Sequence, residues 1–384
     1  MFLQVLITIG AAQALNLALL SLLKSKREQS DYLLSLELFT MFVIIMLFNY
    51  KANLANISLY FPLLTFIVAY LAVPLFYLYI KSMIRGRLDF RKSQQWIHFL
   101  PALAALTLYL VNFGPLGAEE KRIILDMIKT EAYCPAWFYF LSYGLFLGVF
   151  PIYLYKSYRL IRIHEAFIRT QLSFTEDVSL AWLYHFLISQ TIVWLGFMTF
   201  EVVGSDFLGM FSGQMGFRLA FLFMIGSIFL QGYFGLRRGV AFVNLPHTEV
   251  PEEEPAKYPG SSLSAGRVQE LSRQLTRFVE QEKPYLEPKI TIGDLALRMG
   301  WPVNDLSRVI NEGLGQSFYD FINSYRVAEF KELLIDPDNH QFTLLSLAYE
   351  AGFNSKSTFN AIFKKFTGMT PSEYARSLQL QQIS

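Results

Sequence analysis

"LAYEAGFNSKSTFNAIFKKFTGMTPSEY" (Leu347–Tyr374) is polar and regularly punctuated, in a chain of 384 residues that is 53% hydrophobic and only 17% charged. Gly352 and Gly368 each close a run of periodic apolar residues, where a helix takes its left-handed cap. Thr370 then stands as an N-cap, with Pro371 at the first helical position and Glu373 at the third, a strong helix start. The stretch reads as a short helix over 344–351, a glycine turn, a helix over 356–367 and the opening of another. That succession is a helix-turn-helix.

The same grammar recurs upstream. In "TIGD", Thr291 is an N-cap with Asp294 at the third helical position, and the helix it opens ends at Gly300. A second helix covers 303–313. Leu295-Ala296 and Gly300 reappear as Leu347-Ala348 and Gly352, 52 residues on. "SFYD" (Ser317–Asp320) opens a long helix reaching Leu334 that joins the two units, and a helix over 267–282 precedes them. Two helix-turn-helix units on one rigid connector would present two reading helices about one DNA turn (~34 Å) apart.

These residues resemble the AraC/XylS family of bacterial transcription regulators. The quoted stretch is similar to that family's signature. "ITIGDLALRMGWPVNDLSRVINEGLGQSFYDFINSYRVAEFKELL" is similar to its first helix-turn-helix and connecting helix. The resemblance covers about residues 265–378. Carried over by position, it puts base reading on Asn304, Ser307 and Arg308 in the first unit and on Lys356, Ser357 and Asn360 in the second. The helical pattern expects these side chains outward and Leu306, Val309, Phe359, Ile362 and Phe363 inward. Arg308 suits a guanine edge, Asn304 or Asn360 an adenine, and Lys364 and Lys365 suit phosphates. Two departures stand out. "VINEGLG" replaces the family's Phe-Lys-Lys run in the first unit, and Ala361 occupies a position where Arg is common. From Gly266 onward there are 13 Lys/Arg against 14 Asp/Glu, a poor balance for a lone DNA binder.

The chain before Arg238 is built for another solvent. Its charges are sparse and clustered, and seven stretches approach the ~20 apolar residues that cross a ~30 Å hydrocarbon layer. They are 2–23, 32–48, 58–80, 94–112, 135–155, 180–203 and 217–236, with Trp96, Trp137, Trp182 and Tyr233 near their ends. Pro62, Pro74, Pro101 and Pro151 fall within spans and are expected to kink them. Fourteen Lys/Arg lie in the connections that would share one side with Arg237 and Arg238; the other side has five, Lys51, Lys121, Arg122, Lys129 and Arg218. That bias predicts an outside N-terminus and a cytoplasmic C-terminus. No basic residue precedes the first apolar run, so it reads as a retained span and not a cleaved signal. Glu37 and His185, with Gln190, are the deepest polar candidates for sensing a signal, interhelical hydrogen bonding being their plainer role. Asn244–Ser262, with four prolines and Glu249, Glu252, Glu253 and Glu254, cannot bury a core and reads as disordered. The single cysteine, Cys134, excludes an internal disulfide.

The expectation is an all-α chain: a seven-transmembrane helix bundle (1–238), a disordered Pro/Glu-rich linker (239–264) and a seven-helix double helix-turn-helix domain (265–384). The function expected is membrane-bound transcription regulation, with the bundle as sensor and anchor in a bacterial cytoplasmic membrane. The expected partners are double-stranded promoter DNA, the lipid bilayer, a small lipophilic ligand, a second copy and RNA polymerase. No catalytic residue, metal or cofactor is expected. The rival readings are a transporter or channel with a regulatory C-terminal domain, and a membrane enzyme with a DNA-binding tail. HExxH and GxSxG are absent from the spans, which weakens the last.

Overall fold

The computed structural model describes residues 2–49, 61–130, 135–174, 181–199, 213–236 and 264–383. The fold is all-α, with no strand among the described residues. The chain forms two compact units, Met1–Arg162 with Leu180–Glu249, and Ile163–Ser179 with Val250–Ser384. The Pro/Glu-rich linker, Cys134, Lys51, Arg237 and Arg238 lie outside the described residues.

The first unit contains α1 (Phe2–Leu22), α2 (Gln29–Asn49), α3 (Phe61–Arg85), α4 (Leu100–Phe113), α5 (Ala118–Thr130), α6 (Ala136–Tyr143), the first turns of α7 (Phe150–Gln171), α8 (Ala181–Phe197) and α9 (Gly213–Leu236). Helix α2 packs on α1 and α3, and α9 packs on α1 and α8. Glycines permit these approaches: a Cβ at Gly10 would overlap Ile225, at Gly232 Leu17, and at Gly196 Phe223. Among the described residues, four helical stretches are long and apolar enough to cross a membrane, Leu3–Leu22, Gln29–Asn49, Ile67–Arg85 and Gln94–Phe113, and Arg218–Phe234 is a shorter apolar helix.

Pro74 lies inside α3, and Pro101 and Pro151 lie inside unbroken helical runs, Ser93–Phe113 and Ala136–Gln171. Just before these two prolines the helix departs from α geometry, tightening to a 3-10 turn over Ile97–Phe99 and widening to a π turn over Gly144–Val149. A proline lacks the N–H that would bond four residues back, and such departures accommodate its loss. Helix α5 was not foreseen, because the polar run "AEEKR" interrupts the apolar pattern; Glu119 and Glu120 occupy its first turn, and Lys121 donates back to the Gly114 carbonyl (3.1 Å).

Of the three candidate sensor residues, Glu37 and Gln190 are buried, whereas His185 is exposed and stacks on Phe234. One helical step separates His185 from Phe186 on the inward face, so composition along α8 could not decide its side. Ser189 and Gln190 on α8 both reach the Ser227 hydroxyl on α9 (3.0 and 3.4 Å), to which Gln231 donates from within α9 (3.1 Å). The buried Glu37 carboxylate lies beside Gln231 of α9.

The second unit contains α10 (Ala265–Glu282), α11 (Ile292–Met299), α12 (Val303–Arg308), α13 (Phe318–Ile335), α14 (Leu344–Glu350), α15 (Lys356–Thr367) and α16 (Pro371–Ile383). Caps fix the boundaries as read. Thr291 and Asp294 form a capping box at α11, Ser317 accepts from the Asp320 N–H at α13, and Ser355 accepts from the Thr358 N–H at α15. At α16 the Thr370 N–H donates to Glu373 (2.8 Å), and that bond holds the Glu373 carboxyl below the usual carboxylate range.

Two hydrophobic cores share α13. Phe318, Phe321 and Ile322 enter the first with Leu271, Leu275, Leu295 and Leu306. Tyr319, Val327 and Phe330 enter the second with Leu347, Phe353, Phe359 and Phe363. The 100° step per residue puts these two sets on different faces of one helix.

Gly300 and Gly352 hold equivalent turns but face different surroundings. Gly300 (φ +67°) has open space where a Cβ would stand. At Gly352 (φ +92°) a Cβ would overlap the Tyr285 carbonyl and lie 2.9 Å from Leu286 Cα. Gly300→Ala should cost only the left-handed penalty, about 1–2 kcal/mol. Gly352→Ala should cost about 2–5 kcal/mol, because backbone overlap adds to that penalty. Thermal unfolding of the purified chain checks this, and equal losses at the two glycines would contradict the packing described.

Candidate nucleic-acid interface

Helices α12 and α15 are the second helices of the two turns. Leu306, Val309, Phe359, Ile362 and Phe363 are all buried, which turns the opposite faces to solvent. Asn304 is exposed on α12, and Lys356, Ser357 and Asn360 are exposed on α15. Arg308 is half-buried, with Lys364 and Lys365 exposed at the end of α15.

Ser307 departs from the expected outward face. It is 8% exposed, and its hydroxyl and carbonyl both accept from the Asn311 amide (3.3 and 2.9 Å). The reason is its register: Ser307 shares the inward stripe of Leu306 and Ile310 at helical spacing, although it is polar.

Two of the basic groups are already engaged. Arg308 Nε donates to Glu312 (2.7 Å) one turn on, and Lys365 Nζ donates to Asp320 on α13 (2.6 Å). The first pair follows the i,i+4 rule and was available to sequence reading. The second joins residues 45 apart and had no local signal. Both pairs set an internal carboxylate against any phosphate that approaches.

Sequence reading also missed a buried polar group. Arg326 on α13 is 1% exposed and donates to the carbonyls of Tyr285 (2.8 Å), Glu287 (2.7 Å) and Pro288 (3.2 Å). The available signal was a charged residue inside the apolar pattern of α13, next to Val327 and one turn before Phe330. Among the described residues, no group of three or more His, Cys, Asp or Glu side chains could hold a metal ion.

The family model described as "Helix-turn-helix domain" matches residues 295–377. The module is a helix-turn-helix DNA-binding domain of the AraC type.

An uncharacterized HTH-type transcriptional regulator of Staphylococcus aureus (strain COL) is 33% identical over 85 residues, covering 22% of this chain and 11% of that protein. The transcriptional regulatory protein HptR of Staphylococcus aureus (strain NCTC 8325 / PS 47) is 28% identical over 102 residues, covering 27% of this chain and 39% of that protein. This chain thus spans about a tenth of the first relative and two fifths of the second. No solved structure matches.

The internal ion pairs generate an expectation for DNA binding. Asp320→Asn should release Lys365, tighten binding to duplex DNA up to about fivefold at low salt, and steepen the salt dependence, since an exposed pair is worth up to about 1 kcal/mol. Lys365→Ala should weaken all duplexes alike and flatten the log–log salt slope by about 0.9. Fluorescence anisotropy across a salt series measures both. No change in slope in either variant would remove Lys365 from the phosphate contacts.

Proposed function

We propose that this chain is a membrane-bound transcription regulator, whose apolar helices anchor it and sense a signal while the C-terminal module binds promoter DNA from the cytoplasm. One observation carries the reading: two helix-turn-helix units are fixed on the single helix α13, and each exposes polar, base-competent side chains. Four helices of spanning length and apolarity support the membrane part. The basic asymmetry of the connections supports a cytoplasmic module.

Asn304, Arg308, Lys356, Ser357 and Asn360 are the proposed base readers, with Lys364 and Lys365 on phosphates. Ser307 serves differently: it holds Asn311 and shapes the turn that ends α12. The module carries one more acid than base, and Arg308 and Lys365 are internally paired, so one copy binds weakly. A homodimer would supply two modules to one operator. Glu37 and Gln190, buried in the apolar unit, are the proposed points at which a small lipophilic ligand with a polar group acts. Contact with RNA polymerase completes the proposal.

Mapping promoter occupancy with and without the intact chain tests the reading. On the operator so found, Arg308→Ala should cost about 1–3 kcal/mol and relax one base position. Unchanged affinity and unchanged base preference would take Arg308 off the reading face.

Orientation has its own test. A reporter active only in the cytoplasm should work when fused after Ser384 and stay silent when fused before Met1. The reverse pattern would defeat the DNA-binding reading, because the module could not reach the chromosome.

A further inference from the structure

The helix α7 begins in the apolar unit, and its last turns, from Ile163, belong to the DNA-binding unit. Beyond its end, Leu172, Ser173 and Phe174 are buried. The Ser173 carbonyl accepts from Asn323 Nδ2 (3.1 Å) and from Arg326 Nη1 (3.2 Å), both on the connecting helix α13. The Ser173 hydroxyl donates to the Ile290 carbonyl (2.7 Å) and accepts from Arg326 Nη2 (3.3 Å). Leu172 makes an isolated antiparallel bridge with Thr291, the N-cap of α11. Arg169 lies over the Tyr319 ring (5.7 Å) and Lys289 over the Phe174 ring (5.9 Å).

These contacts have two properties. They fall on the connector (Tyr319, Asn323, Arg326) and on the entry to the first helix-turn-helix (Lys289, Ile290, Thr291), and none named here touches a proposed base reader. They also complete a buried polar site. Asn323 and Arg326 are 0% and 1% exposed, and Ser173 shares their donors with the Tyr319, Glu287 and Pro288 carbonyls and with Asn323 Oδ1. A buried donor deprived of its acceptor is costly, so the site favours the docked segment.

We infer that Leu172–Phe174 is a regulatory clip. Docked, it locks the entry of α11 to α13 and so holds the first reading helix in register with the second; withdrawn by movement of α7, it loosens the module and lowers DNA affinity. The inference rests on the proposed DNA-binding function and adds to it a route by which a change among the apolar helices reaches the reading heads. A helix is a stiff transmitter: one inserted residue turns everything beyond it by about 100° and advances it by about 1.5 Å.

The experiment uses the full-length chain in lipid nanodiscs. Amide hydrogen exchange over Ile163–Phe174 should be slow, and at least tenfold faster both in the double variant Leu172→Asp/Phe174→Asp and in Asn323→Ala, whose substitution lies 149 residues away from Phe174. Exchange in α15 should stay unchanged in both, which separates undocking from unfolding. Fast exchange in the wild-type chain, or unchanged exchange in the variants, overturns the docking. On the mapped operator the double variant should bind at least tenfold more weakly; unchanged or tighter binding overturns the regulatory role while leaving the DNA-binding reading intact. One alanine inserted after Arg162 should weaken operator binding in the wild-type chain and add nothing in the double variant. An insertion without effect in the first, or with full effect in the second, overturns transmission through α7. A wild-type chain that binds no promoter DNA defeats instead the function on which the inference rests, and the exchange measurements still decide the docking.

Discussion

A guanidinium removed from water must find acceptors for its N–H groups, and Arg326 meets that demand in the middle of the one helix both cores share. Its donors collect the carbonyls of Tyr285, Glu287 and Pro288, which lie in the connection between α10 and α11. This draws the entry of the first helix-turn-helix onto α13. Through Gly352 the same connection also packs against the turn of the second unit, close enough to exclude a Cβ. The spacing of the two reading helices is therefore not left to loops. It is set by a helix inside both cores and by a polar knot at its centre. Hydrogen bonds to charged groups are worth about 1.5–3 kcal/mol each, so the knot outweighs any single apolar contact around it.

Local chemistry explains which parts of this were legible in the sequence. The helices of the module could be bounded closely because their ends are written in caps: Thr291 with Asp294, Ser317 with Asp320, Thr370 with Glu373, and glycines at 300, 352 and 368. Each signal spans four residues or fewer. The inward set of α12 and α15 was legible for the same reason, being periodic. Ser307 was misjudged because polarity was allowed to override register. Contacts between distant residues had no signature at all. Lys365 with Asp320, and Arg326 with Ser173, are meetings that only the fold arranges.

Charge is arranged with comparable restraint. A DNA binder usually advertises itself by an excess of Lys and Arg, and this module has none. Two of the basic groups on the exposed faces of α12 and α15 are countered from within, Arg308 by Glu312 and Lys365 by Asp320. Exposed pairs of this kind add little to stability, about 0–1 kcal/mol, so their physical consequence lies in competition with phosphate. Lower nonspecific affinity favours release from duplexes that offer no matching base contacts. A module that clung to any duplex would spend its encounters on the wrong sequence; one that needs base contacts, or a second copy, releases those quickly.

The connectivity of the two units gives this economy a further meaning. The chain crosses from one unit to the other three times, at Arg162–Ile163, Ser179–Leu180 and Glu249–Val250. A single flexible tether would fix only a local concentration, falling slowly with linker length and conveying no orientation. The first crossing is different in kind, because it is made by the continuous helix α7. The segment just past its end supplies Ser173 to the buried donors of α13, so the polar knot between the two helix-turn-helix units includes a residue 92 positions upstream of Ala265. A domain whose interior borrows an acceptor from the segment between two apolar helices is energetically coupled to that segment. Displacing Ser173 would take one acceptor from Asn323 and two from Arg326, leaving Arg326 on the carbonyls of Tyr285, Glu287 and Pro288 alone to hold the entry of α11 to α13.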